Sequence, residues 1–344
     1  MADRTFASIS TALADLFASE VTSSINRAVV LAQLLEVKAG QGKNVQWDVK
    51  FGTATPSTAV IADGANVTNF NLDTKVPATL QYGTYHDAFS ITGKAAAAAA
   101  AAGNPEQLAD LFADDLLDSA QRLASALGEA VYTGDGTTDN MHGLAATSGP
   151  LDTTGTYANI ARGTYAQWAS NEVDASSGAL SFALMRQLRR TIYVASGLRP
   201  DIIICDPEQH EVYGSLFGTD RRYVDQIRLR GEVIKLDGGY QVLEFDGIPV
   251  IEDYQAPAKS MMMLNSRHLY LSQLPDPLTA LNQSMGITDL AGTEEEQYGA
   301  GPTGLRARIL PLAKTGDAYK FGLYTYPALV SRRNNAHGQL INLA

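Results

Sequence analysis

The sequence contains a single cysteine, Cys205, among 344 residues. No disulfide can therefore form within one chain, and a metal site built from several cysteines is excluded. Cys205 ends the apolar run Ile202-Ile203-Ile204, where a small buried side chain is a more common role for cysteine than a nucleophile. We therefore expect a buried, unreactive thiol and a cytoplasmic place of assembly.

Long apolar runs and an excess of positive charge are also missing. No stretch approaches the roughly 18 apolar residues of a membrane span, and no basic segment followed by an apolar one marks a secretion signal. The formal charge is −11, which is unlike a surface that grips nucleic acid by neutralising phosphates. One local group of arginines is interleaved with aspartates, so we interpret it as a solvated or subunit-facing surface; it comprises Arg221, Arg222, Arg228 and Arg230.

The motifs of common enzyme classes do not occur. The five histidines lack metal-ligand spacing, and there is neither a G-x-S-x-G nucleophile motif nor a glycine-rich phosphate loop. The nearest approach to a metal site is Cys205-Asp206 with His210-Glu211. However, the cysteine is predicted on a strand and the other residues at the start of a helix. The acidic pairs at Asp114-Asp115 and Glu294-Glu295-Glu296 are expected to be solvated. The sequence thus predicts no catalytic, cofactor-binding or metal-binding residues.

What is present is a globular composition with one unusually long helical pattern. Hydrophobic residues make up 45% and charged residues 18% of the chain, and the length is typical of about two domains. The pattern runs from Asn104, a good helix cap followed by Pro105, to about Tyr132. At 1.5 Å per residue this helix is about 40 Å long. Its apolar face is predicted to contain Leu108, Leu111, Phe112, Leu116, Leu123, Leu127 and Val131.

Upstream of this helix the sequence predicts an arm and a hairpin. Residues 1 to about 38 carry a loose helical pattern with mixed charge, which favours an arm lying across a neighbour. Alternating apolar residues predict strands on both sides of a polar stretch, 52–74, and continue to Thr92. Such a hairpin would protrude and bury little of itself. The run Ala95–Ala102 predicts a short helix.

Downstream, helices give way to strands. The loop around Asp135 predicts turns and not a calcium site, since its carboxylates do not follow the calcium-loop spacing. Residues 149–178 look like a connection, and an amphipathic helix is predicted from Ser181 to Ala195. Strands are predicted at 200–205, 241–245, 248–252, 261–264, 269–272, 305–312, 319–326, 328–330 and 340–343, with a helix from Asp206 to about Phe217. This order predicts an α+β fold and not a doubly wound sheet.

The order of these segments resembles the major capsid proteins of tailed bacteriophages, which have the Hong Kong 97 capsid fold. Short motifs carry the resemblance along nearly the whole chain. They are Gly134-Asp135-Gly136-Thr137 leading to Gly143-Leu144, then Arg199-Pro200-Asp201-Ile202-Ile203-Ile204, Phe245-Asp246-Gly247-Ile248-Pro249-Val250 and Tyr326-Pro327-Ala328-Leu329-Val330.

The resemblance implies a subunit organisation and a structural function. It implies an N-terminal arm at 1–44, an extended loop at 45–92, a peripheral domain at 93–197 and 311–344 with a spine helix at 104–132, and an axial domain at 198–310. Copies would assemble into hexamers and pentamers of an icosahedral shell enclosing phage double-stranded DNA, in the host bacterial cytoplasm. Implied partners are a portal and a separate scaffolding or decoration protein. No enzyme activity, cofactor or membrane is implied.

Some members of the family join the extended loop to a neighbour by a Lys–Asn isopeptide bond. The residue types exist here as Lys50, Lys75, Asn334 and Asn335, but no catalytic Glu can be matched to them. The arm begins almost at Met1, so we expect any scaffold to be a separate protein or absent. Two alternative functions remain open: an encapsulin-like nanocompartment shell around a cargo enzyme, and a soluble enzyme of unrecognised type.

Overall fold

The computed structural model describes residues 30–51, 63, 74–101, 105–137, 139–217, 223–224, 226–229, 232–235, 242–274, 308–312 and 317–344. Several predictions lie outside these residues: most of the N-terminal arm, the polar middle of the hairpin, the cap Asn104 and the acidic run 294–296. The arginines at 221, 222 and 230 lie outside them as well, and so do the side chains of Leu108, Leu111 and Arg228.

The described helices are α1 Val30–Leu34, α2 Gly93–Ala101, α3 Pro105–Thr133, α4 Phe182–Ser196 and α5 Pro207–Ser215. The described strands are β1 Glu36–Ala39, β2 Asn44–Phe51, β3 Thr74–Gln81, β4 Tyr85–Thr92, β5 Thr156–Tyr157, β6 Ile160–Ala161, β7 Asn171–Asp174, β8 Ile202–Cys205, β9 Tyr223–Val224, β10 Gln226–Leu229, β11 Glu232–Lys235, β12 Val242–Phe245, β13 Ile248–Glu252, β14 Met261–Leu264, β15 Leu269–Gln273, β16 Arg308–Pro311, β17 Ala318–Thr325, β18 Pro327–Ser331 and β19 Gly338–Ile341. This order of strands and helices confirms the predicted α+β class.

The long helix α3 is present as the sequence predicted. Its 29 residues span about 43 Å at 1.5 Å per residue. Asp114 and Asp118 are exposed on the outer face. The opposite face is buried along its described length at Phe112, Leu116, Leu123, Leu127 and Val131. The alanine run also forms the expected short helix, α2.

A seven-stranded mixed sheet lies between α3 and α4. Its order is β7-β19-β14-β8-β13-β12-β9, with β8 parallel to β13 and antiparallel to β14. On β8, Ile202 and Ile204 pack with the α3 core, while Ile203 and Cys205 pack with α4 residues such as Leu188. Burial on both faces explains the continuous apolar run of β8. Cys205 is fully buried, as predicted.

Local signals at helix ends and turns also act as expected. The Ser181 hydroxyl caps α4 by accepting from the Leu184 amide at 3.3 Å. Gly197 ends α4 in the left-handed region, with φ of 70°. Between β12 and β13, Asp246 and Gly247 have φ of 50° and 80°, which is the backbone of a tight hairpin turn.

The prediction of a mere connection at 149–178 was wrong. The segment forms β5, β6 and β7, and it buries Tyr157 and Trp168. Arg162 donates to the carbonyl oxygens of Thr154 and Gly149, and the Trp168 indole donates to the Tyr157 carbonyl. These side chains donate hydrogen bonds to backbone carbonyl oxygens of the segment. The segment is therefore compact although it contains no long apolar run.

The predicted helical character of residues up to about 38 was also wrong at its end. Residues Glu36–Ala39 form β1, which pairs in parallel with β15, Glu36 opposite Tyr270. Leu31 and Leu35 are fully buried in the α3 core. Pairing with a strand distant in sequence leaves no periodic pattern in the local sequence. The pairing also attaches the end of the predicted arm to its own chain.

The hairpin consists of β2 and β3, and β4 belongs to another sheet. β2 and β3 pair along eight residues, from Asn44 opposite Gln81 to Phe51 opposite Thr74. β4 pairs instead with β17, with Phe89 opposite Phe321. The hairpin strands bury one face, including Val45 and Leu80, which is more than the sequence predicted.

Candidate assembly surface

The outer face of the β2–β3 hairpin is polar and carries two lysines in direct opposition. Lys50 and Lys75 are register partners, and both are exposed. Asp48, the next residue on the same face of β2, is exposed and lies opposite Pro77. In the described residues β2 and β3 form a two-stranded sheet of their own. An isolated two-stranded hairpin is marginally stable, so its support has to come from other elements.

Aromatic contacts supply that support within the subunit. The Phe51 ring stacks on Tyr165 with centroids 4.4 Å apart and meets Trp168 edge-on at 6.2 Å. The Thr79 amide donates to the Ala158 carbonyl at 3.0 Å. The segment that was predicted to be a connection therefore sets the direction in which the hairpin leaves the subunit.

The N-terminal half of α3 is held by an aromatic trio and a polar clasp. Phe112 contacts Phe321 at 4.9 Å and Phe89 at 5.5 Å between ring centroids. The Asp87 carboxylate accepts from the Ser119 hydroxyl at 2.5 Å and from the Arg122 side chain at 3.1 Å. These contacts fix α3 against the β4–β17 sheet.

The C-terminal end of α3 is tied to the seven-stranded sheet through one buried hydrogen bond. The Tyr132 hydroxyl donates to the Asp253 carboxylate at 2.6 Å. Burial raises the pKa of both groups, and the hydrogen bond from Tyr132 partly offsets the rise for Asp253. These two sets of contacts join α3 to both sheets.

A cleft of about 510 Å³ lies beside the turn that follows α3. Thr84, Tyr85, Glu129 and Asp135 are among its lining residues. The Asp135 carboxylate accepts from the Thr137 amide and hydroxyl and from the Asn140 side chain, and these bonds lower its pKa. The carboxylate thus stabilises its own turn, as predicted. No group of three His, Cys, Asp or Glu side chains suited to a metal occurs in the described part of the chain.

The residues that the sequence analysis considered for a metal site or a nucleophile do not form one site. His210 Nδ1 lies 3.3 Å from the Glu252 carboxylate. Burial raises the pKa of the Cys205 thiol, which makes it a poor nucleophile. His337 is fully buried, and burial lowers its pKa to about 3.

The residues considered for a covalent crosslink differ in accessibility. Lys50 and Lys75 are exposed, whereas Asn334 is fully buried. Asn335 is partly exposed, and its amide donates to the Ala195 carbonyl at 3.2 Å. Of the two asparagines, only Asn335 could be reached from a neighbouring subunit without local rearrangement. The isopeptide bond stays a prediction.

Three arginines that the sequence analysis did not single out lie close to His268, where β18 ends and β15 begins. The Arg332 amide donates to the His268 carbonyl at 2.9 Å, which joins the β14–β15 turn to the segment after β18. Burial lowers the pKa of His268, and the nearby charges of Arg333, Arg267 and Arg332 lower it further. We name Arg267, Arg332 and Arg333 the arginine cluster. In the sequence, the only sign of this cluster is the Arg332-Arg333 dipeptide, because Arg267 lies far from it along the chain.

The subunit also exposes large apolar side chains, two of them in the last turn of α4. Tyr193 and Val194 are 51% and 79% exposed, and Tyr254 is 63% exposed. The Arg199 guanidinium lies over the Tyr193 ring at 5.7 Å. Exposed tyrosine and arginine are enriched in protein interfaces. None of the helices in the described residues is long and apolar enough to cross a membrane.

Comparison with known proteins is consistent across sequence and structure. A family model described as SU10 major capsid protein matches residues 18–299. Among proteins with curated descriptions, none is a significant match. The chain is similar to the cyanophage A-1(L) capsid asymmetric unit, with 22% identity, coverage of 91% of this chain and 92% of that chain, and a TM-score of 0.65.

Two further solved structures share the architecture. The capsid of a native GTA particle has 13% identity, coverage of 94% and 91%, and a TM-score of 0.56. The holo-SrpI encapsulin complex from Synechococcus elongatus PCC 7942 has 14% identity, coverage of 91% and 87%, and a TM-score of 0.51. These likenesses show a shared fold, and they confirm the predicted Hong Kong 97-like capsid fold.

Proposed function

The chain belongs to the SU10 major capsid protein family, and from this premise we propose that its copies form the hexamers and pentamers of an icosahedral shell enclosing phage double-stranded DNA. It is a major capsid protein of a homo-oligomeric shell, so its location is the virion capsid. Repeated identical contacts between copies then decide whether the shell closes.

The observation that carries the finer proposal is the exposed outer face of the β2–β3 hairpin. Its outer face is polar, with Lys50 and Lys75 in opposition, and its two strands pair only with each other in the described residues. The inner face packs on its own subunit, whereas Asp48, Lys50 and Lys75 on the outer face are exposed and available to a neighbouring copy. We assign it to the extended loop, 45–92, which reaches over an adjacent subunit.

We propose the remaining organisation from the family resemblance; the seven-stranded sheet joins β7 and β19 to β8 and β14 across the proposed boundary. The arm would be 1–44, the peripheral domain 93–197 with 311–344 around the spine helix 104–132, and the axial domain 198–310. β4 closes the extended loop, and its pairing with β17 anchors that loop in the peripheral domain. The clasp between Asp87 and Arg122 supports this anchor.

The enclosed material is proposed to be DNA held without sequence-specific binding. The net charge of −11 supports this, since an acidic wall would not retain packaged phosphates. Portal, scaffolding or decoration proteins would be separate chains, and assembly would take place in the host bacterial cytoplasm. Membership of a capsid family supports a structural, non-catalytic role.

Contents of purified particles test the proposal against the encapsulin alternative. Particles from infected or lysogenic host cells would be treated with nuclease, washed and extracted. DNA protected from the nuclease is the expected result. Particles that hold a stoichiometric protein cargo and no protected DNA would instead support a nanocompartment shell.

A further inference from the structure

We propose that the arginine cluster, Arg267, Arg332 and Arg333, binds carboxylates of a second copy of this chain. The inference rests on the assembly of copies into a shell, and it names a surface through which neighbouring copies recognise each other.

Charge is the first argument. The chain carries 37 acidic and 26 basic residues, yet the pairing of Leu269 with Ser331 and the bond from the Arg332 amide to the His268 carbonyl bring Arg332 and Arg333 beside Arg267 and His268. Two carboxylates lie nearby. The Asp201 oxygens accept from the Ser266 amide at 2.7 Å and hydroxyl at 2.5 Å, and Glu36, opposite Tyr270, pairs with Lys38 at 3.4 Å. None of the ion pairs in the described residues includes an arginine of the cluster. An incoming anion would relieve this mutual repulsion.

Two of the three arginines, Arg332 and Arg333, are also held in place, which is the second argument. Arg333 donates to the Ser196 carbonyl at 2.6 Å and to the Asn335 side chain at 3.2 Å. Arg332 lies over the Tyr270 ring at 5.1 Å, and Lys38 lies over the same ring at 4.7 Å. Side chains that are already positioned lose little freedom on binding, and a guanidinium matches a carboxylate in two parallel hydrogen bonds.

A fixed arrangement favours a partner in a fixed position. Neighbouring copies in a shell provide one, whereas phosphates of packaged DNA can be neutralised without defined geometry. Each copy also offers suitable anions: Asp114 and Asp118 on α3, for example, are exposed and belong to no ion pair of the described residues. A second copy is therefore the occupant that the cluster fits best.

The test compares two double charge reversals in the full-length chain. R267E/R332E changes the cluster, and R186E/R190E makes the same charge change on the exposed face of α4. Sedimentation measures the particle yield of each variant, and circular dichroism with thermal unfolding verifies the fold. We expect the particle yield of R267E/R332E to fall at least about tenfold and that of the control to stay within about twofold of wild type.

Three results would overturn the inference. One is a wild-type particle yield from R267E/R332E, and another is an equal loss in the control, which would make net charge the cause. The third is normal assembly with lost retention of duplex DNA, which would make the cluster a phosphate-binding surface. If the double variant does not fold, R267Q is measured by the same criteria. This variant removes one exposed charge without reversing it, so we expect it to fold. Wild-type protein that forms no particles would contradict the proposed function itself.

Discussion

The hydroxyl of Tyr132 and the carboxylate of Asp253 share a hydrogen bond of 2.6 Å inside the subunit, where the last turn of α3 meets the residue after β13. Tyr132 is fully buried and Asp253 is 2% exposed. This bond links the long helix to the seven-stranded sheet.

Removing this bond should destabilise the subunit. Tyr132→Phe leaves the buried Asp253 carboxylate without its side-chain donor, at a cost of about 1 to 3 kcal/mol. Urea unfolding of unassembled subunits measures the change. Tyr254→Phe, at an exposed position, is the control and should stay within about 0.5 kcal/mol. Equal stabilities of the two variants would show that the bond contributes nothing.

Asp253 should also make stability depend on pH. Its pKa is raised in the folded subunit by burial, so the folded state binds its proton more tightly than the unfolded chain. The resulting stabilisation is complete below the ordinary carboxyl pKa of about 3.9 and is lost as pH rises through the folded pKa. Asp253→Asn should flatten this dependence relative to wild type. An unchanged slope in Asp253→Asn would contradict the assignment.

His337 should act in the opposite direction. Its pKa in the folded subunit is lowered to about 3, so the unfolded chain takes up a proton first as pH falls below about 6.5. Its contribution is present above pH 6.5 and is lost on acidification, and His268 adds an effect of the same sign. His337→Gln should be less stable at pH 7, because the Asn265 amide donates to the imidazole, but should lose less stability between pH 7 and 4. Parallel pH curves for variant and wild type would exclude this role.

The aromatic trio around α3 should be costly to disrupt. Phe112→Ala removes a ring that contacts Phe89 and Phe321, and we expect a loss of about 3 to 5 kcal/mol in the free energy of unfolding. Asp114→Ala, two residues away and exposed, is the matched control. A loss below about 1 kcal/mol in Phe112→Ala would mean that the neighbouring rings close the gap.

Deletion of the polar middle of the hairpin separates folding from assembly. Residues 52–73 would be replaced by an Asn-Gly turn, which suits a two-residue connection between β2 and β3. We expect a folded subunit that fails to form stable shells, as judged by circular dichroism and sedimentation. Unchanged particles would count against the extended-loop assignment.

The accuracy of the sequence predictions follows from how local their signals are. The i, i+3 and i+4 pattern of α3 is contained in the helix itself, and the Asp246-Gly247 turn is set by two adjacent residues. The pairing of Glu36 with Tyr270 and the bond from the Arg332 amide to the His268 carbonyl depend on segments distant in sequence. Such contacts leave no periodic trace, so β1 and the arginine cluster became visible only in the folded chain.

Electron microscopy of the purified, full-length protein tests the central claim most directly. Closed polyhedral particles whose capsomers have sixfold and fivefold symmetry are the predicted result, with the β2–β3 hairpin of each subunit lying on its neighbour. Uniform monomers or dimers under all conditions of salt, crowding and added scaffolding protein would contradict the account.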